Sequence, residues 1–362
     1  MNLRNLIAVA AMGTLFAQGC VTKPEKTIIR IGHGIIATVT SFDYSEGNIG
    51  AYDIESGKSY QNFLTIFNDN CVRYFNGAAY ILERGGISNI IKLDSSDLNT
   101  VVRQEHIADA VNPHDIAFIS NTKAYITCYD ADAIRIYNPS TGMMTGQSID
   151  LSSYTGAGGI HPGMDAAVAY NGKAYVGLQK LAQDNSPTEN SSILSINGAN
   201  DTREEEILLK KTNPQGMSLF GSKLYIACTA AYSQNKAIAL DGDIEAIDLA
   251  GARTADSIVD ESMLNGNVSD VLVINDSTGY AIVSDAGNSN HLIQFNPRDK
   301  TVGAEIAAAG AASQAVFDDP YLYVADRSTS DPGIVVIDPA TNQQVGMTIN
   351  VGLPPNRLAV IR

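Results

Sequence analysis

The chain has 362 residues, 44% of them hydrophobic and 17% charged, which excludes a disordered or coiled-coil composition and suits a closed all-β fold of one unit. The formal net charge is −15 and no basic stripe offsets it, so the surface repels a phosphate backbone and nucleic acid is set aside as a partner. Acidic patches remain able to attract cations or a basic partner.

In chain order, residues 1–19 read as a signal peptide and stand outside the fold. Arg4 is the one positive charge there, and the apolar stretch from Leu6 to Ala17 is too short to span a bilayer. Phe16-Ala17-Gln18-Gly19-Cys20 resembles a bacterial lipobox: Gly19 and Cys20 match, while Ala17 and Gln18 depart from it. Ala17-Gln18-Gly19 also offers ordinary signal peptidase a small-x-small site. The preferred reading is lipidation at Cys20, with residues 20–28 as a tether and the membrane touched only through the lipid. Three further cysteines remain, Cys71, Cys128 and Cys228. An odd number in an exported chain argues against a disulfide framework and for buried free thiols.

From residue 29 to 362 the sequence repeats itself. The pattern of a small or apolar residue, a tyrosine and a β-branched or small residue recurs around Tyr80, Tyr125, Tyr175, Tyr225, Tyr280 and Tyr323, roughly 43 to 55 residues apart. A copy without tyrosine fits Ile35 to Val39. Before each tyrosine strand lies an apolar run and a tight turn such as Asn171-Gly172-Lys173. After it come a longer polar loop, a third strand and a turn such as Tyr137-Asn138-Pro139-Ser140-Thr141-Gly142. Those turn residues supply preset or positive φ and Asx hydrogen bonds, and the alternation between them is that of half-buried antiparallel strands. The segment Pro355 to Ile361 looks like an inner strand with no blade after it, and the first copy lacks an inner strand. Joining the two closes a ring and leaves no open sheet edge. The fold expected is therefore an all-β, seven-bladed β-propeller with four-stranded antiparallel blades.

Leu322-Tyr323-Val324-Ala325-Asp326, followed by Gly333-Ile334-Val335-Val336-Ile337-Asp338-Pro339-Ala340-Thr341-Asn342, resembles the unit of YVTN-repeat β-propellers. The ending Ile349-Asn350-Val351-Gly352-Leu353-Pro354-Pro355 matches that unit's close, and Tyr125 to Thr141 matches less fully. The resemblance implies a bacterial envelope propeller. Relatives of that type include lactonases, electron-transfer proteins, scaffolds and lipoproteins that capture cobalamin, so fold alone does not choose a function.

The loops between second and third strands are the longest, notably Gln179 to Ser191 and Thr229 to Asp243, which places function on the face that carries them. Counting back from each tyrosine aligns the starts of the inner strands as two rings at the channel mouth. The first holds Asn70, His114, Met164, Gln215, Ser269, Gln314 and Asn356; the second holds Cys71, Asp115, Asp165, Gly216, Asp270, Ala315 and Arg357. Ligand-binding candidates are His114, Asp115, Met164, Asp165, Gln215, Ser269, Asp270, Gln314, Asn356 and Arg357. The competing reading has the three aspartates capping backbone amides of the next blade and His114 serving structure. No haem, zinc, P-loop or Gly-x-Ser-x-Gly spacing is legible, the chain contains no tryptophan, and Asp130-Ala131-Asp132 and Asp285-Ala286-Gly287 lack the offsets of a calcium loop. No cofactor or metal is assigned. The expected function is a non-catalytic lipoprotein of the outer membrane, binding a small molecule or a protein partner on its loop-bearing face. A lactonase-like hydrolase using the Asp/His cluster is the alternative.

Overall fold

The computed structural model describes residues 27–362 except 110, 188–189 and 231–238; the segment expected to be a signal peptide and the expected lipidation site Cys20 lie outside the described residues. Twenty-eight strands form seven four-stranded antiparallel sheets, each a blade of one ring. Six blades are continuous in sequence, with inner strands Asn70–Phe75, Pro113–Ser120, Met164–Tyr170, Pro214–Phe220, Asn267–Asn275 and Ala312–Asp318. These are called blades 2 to 7. Blade 1 is built from both ends of the chain: Pro355–Ile361 lies innermost and pairs with Gly34–Thr40, from Gly34↔Ile361 to Val39↔Pro355. The split seventh blade and the expected fold are both as the sequence implies.

The local chemistry explains the repeat. Asn171 and Gly172 join two strands with φ of 49° and 74°, and Asn76 and Gly77 do the same with 46° and 78°. Both positions left-handed is the type I′ geometry whose twist matches antiparallel strands. The repeated tyrosines sit on second strands and are buried, between 0% and 3% exposed. Their phenols are not idle in the core. Tyr80 Oη donates to the carbonyl of Pro139 at 3.4 Å, Tyr125 Oη to Asp201, and Tyr280 Oη to Asn342 Oδ1 at 3.1 Å. Each contact reaches the turn between third and fourth strands of the following blade. The tyrosine motif and the polar turn motif are thus two halves of one inter-blade clamp, which satisfies a hydroxyl that burial would otherwise strand.

Apolar residues pack between blades in separate clusters rather than in one central core. Toward the axis the inner strands are tied to their neighbours by short polar side chains. Thr127 Oγ1 donates to the carbonyl of Asp165 at 2.7 Å, Thr229 Oγ1 to that of Val268 at 2.6 Å, and Ser313 Oγ to that of Asn356 at 3.0 Å. These ties hold the channel wall rigid, and the candidate site is built on that wall.

Candidate functional site at the channel mouth

A cavity of 1490 Å³ opens on the face bearing the long second-to-third-strand loops. Its wall comes from the inner strands, and its rim takes Tyr44, Asp184, Asn185, Asn288 and Arg327 from the loops. Nine of the ten sequence candidates line it: His114, Asp115, Asp165, Gln215, Ser269, Asp270, Gln314, Asn356 and Arg357. Met164 does not. It is fully buried and belongs to the apolar cluster between blades.

The miss has a geometric cause. Pro113 pairs with Cys128, Met164 with Leu178 and Pro214 with Cys228, so Met164 is equivalent to the two prolines and Asp165 to His114 and Gln215. All three strands share a bulge directly afterwards, but the blade 3 strand has a second register shift between Phe118 and Ser120, so His114 lies one residue further from its tyrosine than Asp165 does, and the same count in blade 4 lands on Met164. Blade 7 slips likewise: Gln314 pairs with Ala325, which sets it level with Asp115 and Asp270 and puts Ser313 in the other ring. The corrected rings are His114, Asp165, Gln215, Ser269, Ser313 and Asn356, and Cys71, Asp115, Ala166, Gly216, Asp270, Gln314 and Arg357; Asn70 pairs with Glu83 in a strand without the bulge, which sets it level with Pro113 and Met164 and off the cavity wall.

Within this frame Asp115 plays the structural part foreseen for it. Its Oδ1 accepts from the amide of Ile116 at 2.8 Å, and its Oδ2 accepts from the amide of Ala167 in the next blade at 3.1 Å. It also faces Arg73, whose Nη2 lies 2.9 Å from Oδ2. Burial works against the charge of Arg73, but the Asp115 carboxylate and its other neighbours hold its pKa above the ordinary value. Gln314 repeats the cap, taking the amide of Leu358 at 2.7 Å. Among the described residues Asp270 accepts from its neighbour Val271 at 2.9 Å; burial raises its pKa, and Arg357 and Arg73 oppose that rise. Gly216 is required beside it, since a Cβ there would stand 2.2 Å from Asp270 Oδ1 and 2.6 Å from its Cα. Cys71, in the same ring, donates to the carbonyl of His114 at 3.2 Å, and burial pushes its pKa up to about 11.

Asp165 does not cap a backbone amide. Its Oδ1 lies 2.8 Å from His114 Nδ1, and its Oδ2 accepts from Gln179 Nε2 at 2.8 Å. The Arg84 guanidinium lies 2.7 Å from His114 Nε2, and the Tyr129 ring stacks on the imidazole at 4.6 Å. Arginine can only donate, so Nε2 accepts and the proton of a neutral His114 sits on Nδ1, facing Asp165. Arg73, Arg84, Tyr129, Gln179 and Arg327 were not singled out by the sequence reading. Arg84, Tyr129, Gln179 and Arg327 each follow directly on the last residue of a second strand. Aligning the outgoing ends of those strands, as the incoming inner-strand starts were aligned, would have found them.

Arg327 and Arg357 differ from the other two cavity arginines in having no carboxylate within ion-pair distance among the described residues, although Arg357 acts on Asp270 from further away. Arg327 donates to the carbonyls of Thr40, Pro354 and Ser41 and sits 5.3 Å from the Tyr44 ring and 5.8 Å from the Phe42 ring. Burial lowers its pKa. Arg357 donates to the carbonyl of Ser313 at 2.9 Å.

No protein-family model matches the sequence and no curated protein matches it, so the seven-bladed propeller fold is established and membership of the YVTN-repeat family is not. Solved structures do match. The periplasmic gluconolactonase PpgL of Pseudomonas aeruginosa superposes with a TM-score of 0.62 at 11% identity, covering 91% of this chain and 99% of that one. A Bacteroides fragilis protein named as a candidate 6-phosphogluconolactonase gives 0.63 at 12%, over 91% of this chain and 98% of that one. Apo AztD of Citrobacter koseri gives 0.56 at 11%, again over 91% and 98%. At such identities the likeness establishes the propeller fold alone.

Proposed function

We propose that the chain is an exported, lipid-anchored binding module whose cavity takes a small polar anion, and that it is not an enzyme. The supporting observation is the pair Arg327 and Arg357. In a chain with a net charge of −15, two arginines line one cavity without an ion-pair partner among the described residues, and burial disfavours the charge of Arg327. An anion seated between them would recover that lost stabilisation through charge-assisted, bidentate hydrogen bonds. Tyr44 at the rim adds an apolar face for the carbon skeleton. A thermal-shift screen of carboxylates, sugar acids and phosphate esters tests this. The expected result is stabilisation that Arg357→Met and Arg327→Met each abolish, and stabilisation that both variants retain would overturn it.

The hydrolase reading also has an observation in its favour, because Asp165 orients His114 as an orienting carboxylate does in a nucleophile–base arrangement. Against it, Arg84 occupies the Nε2 lone pair that a general base needs. Turnover of a sugar lactone that His114→Ala removes would replace the binding reading with the hydrolytic one. Export and anchoring rest on the leader and on Cys20. Among the described residues no helix is long and apolar enough to cross a membrane. Metabolic labelling with a fatty acid should mark the wild type and not Cys20→Ser, and equal labelling of both would remove the anchor.

A further inference from the structure

Away from the channel, blade 5 buries a second polar cluster. Cys228 ends the second strand Lys223–Cys228 and pairs directly with Asp243, which opens the third strand Asp243–Asp248. Glu245 lies two residues further on and so points to the same side of the sheet. Ligand atoms of Cys228, Asp243 and Glu245 all lie within 4.8 Å of one another, and all three residues are 0% exposed. At the position of Glu245 the other continuous blades carry Ile91, Arg135, Leu194, Ile293 and Val335, four of the five apolar. A carboxylate in an apolar slot of a repeat breaks the local rule, and such breaks are where function is to be sought.

Among the described residues, no side-chain cation forms an ion pair with this cluster. Glu245 accepts from the amides of Lys210 and Lys211 at 3.0 and 2.7 Å, but the two ammonium groups turn elsewhere, to Asp256 and to the carbonyl of Asp241. Asp243 Oδ2 accepts from Ser257 Oγ at 2.5 Å, while Asp243 Oδ1 is buried with no hydrogen-bond partner. An orphaned carboxylate oxygen in a fully buried site beside a thiol and a second carboxylate is a ligand set short of its cation.

We infer that Cys228, Asp243 and Glu245 form a binding site for one divalent transition-metal ion of the zinc type. One sulfur and two oxygen donors on adjacent strands suit such an ion, while the thiol disfavours magnesium and calcium. Binding displaces the thiol proton of Cys228 and any proton on Asp243, so one to two protons leave to solvent as the ion enters. The sequence hides this site because its donors are not in a spaced motif: the thiol and the carboxylates come together only through strand pairing.

Cobalt(II) is the probe. Added to chelator-treated purified protein, it should give a thiolate-to-cobalt charge-transfer band in the near ultraviolet that saturates at one equivalent. Cys228→Ser should abolish the band, Cys128→Ser should leave it intact, and Glu245→Gln should weaken cobalt affinity by about tenfold or more. Circular dichroism reports whether each variant is folded, and Glu245→Gln keeps the test decisive if Cys228→Ser does not fold. Absence of the band in excess cobalt, its survival in folded Cys228→Ser, or unchanged affinity in Glu245→Gln would overturn the site. The channel arginines take no part, so these outcomes are separate from those of the anion screen.

Discussion

In the channel, Asp115 lies 2.9 Å from Arg73 and also holds two backbone amides. In blade 5, Asp243, Glu245 and Glu261 are just as deeply buried, yet they meet only amides, an asparagine, a serine and the Cys228 thiol among the described residues. Both regions remove carboxylates from water, and the consequences are opposite. Where a guanidinium and amide donors converge, desolvation is compensated and the carboxylate becomes a structural pin. Where no cation is supplied, burial raises the pKa, to about 7 for both Asp243 and Glu261. The repeat therefore sets position but not electrostatics. Equivalent blades of one propeller carry a finished ion pair in one place and an unfinished site in another.

Removing the channel pin should have the largest effect. Asp115→Ala leaves Arg73 without its partner and two inner-strand amides without acceptors, and should cost about 3 kcal/mol or more in urea denaturation. A loss below 1 kcal/mol would show that channel water replaces the carboxylate at little cost, and the comparison would collapse. Asp243 should respond to pH in the contrary sense. The folded chain binds its proton more tightly than the unfolded one, so the stability this contributes is complete below 3.8 and is lost as the pH rises toward about 7. In metal-free protein, Asp243→Asn should remove a decline on the order of a few kcal/mol across that window. Denaturation midpoints of the two proteins that run parallel with pH would refute the assignment.

The close approach of blades 5 and 6 at the axis offers a milder test. A methyl at Gly216 meets both the side chain and the Cα of Asp270, so the backbone itself must give way. Gly216→Ala should cost about 1–3 kcal/mol and displace the Asp270 carboxylate. Measured against Gly172→Ala, where nothing lies within 4 Å but φ is 74°, it separates crowding at the channel from turn strain at the surface.

What the sequence made legible follows from what repeats. The tyrosines, the Asn-Gly turns and the split blade recur or close a pattern, because every blade needs the same clamp, hairpin and neighbour. Nine of ten site candidates were reachable for the same reason, since inner-strand starts face one axis in any propeller. Met164 was misplaced because blade 3 carries a second bulge that blade 4 lacks, and a bulge adds a residue without leaving a mark in composition. Arg84 and Arg327 were missed because they begin loops, where the repeat stops constraining residue type. Blade 5's thiol and carboxylates were illegible for a different reason. Their separation in sequence is the length of a loop, and only the pairing of Cys228 with Asp243 converts it to contact.

The two regions can also be told apart by their thiols, with the smallest energetic cost of any test. Cys71 lines the cavity among Arg73, Arg84 and Arg357, all of which favour its thiolate, and burial, with a smaller push from Asp115, drives its pKa up to about 11. Cys228 is also raised by burial, and Glu245, Asp243 and Glu261 raise it further. At neutral pH neither thiol is ionised enough to react quickly, because alkylation proceeds through the thiolate. As the pH is raised in metal-free protein, iodoacetamide should label Cys71 before Cys228, with the modified residue identified by peptide mass. Cys71→Ser should change stability by no more than about 1 kcal/mol, since a weak S–H donor is exchanged for a hydroxyl of similar reach. Labelling of Cys228 first would mean that its carboxylates are compensated after all, and that the two clusters are electrostatically alike.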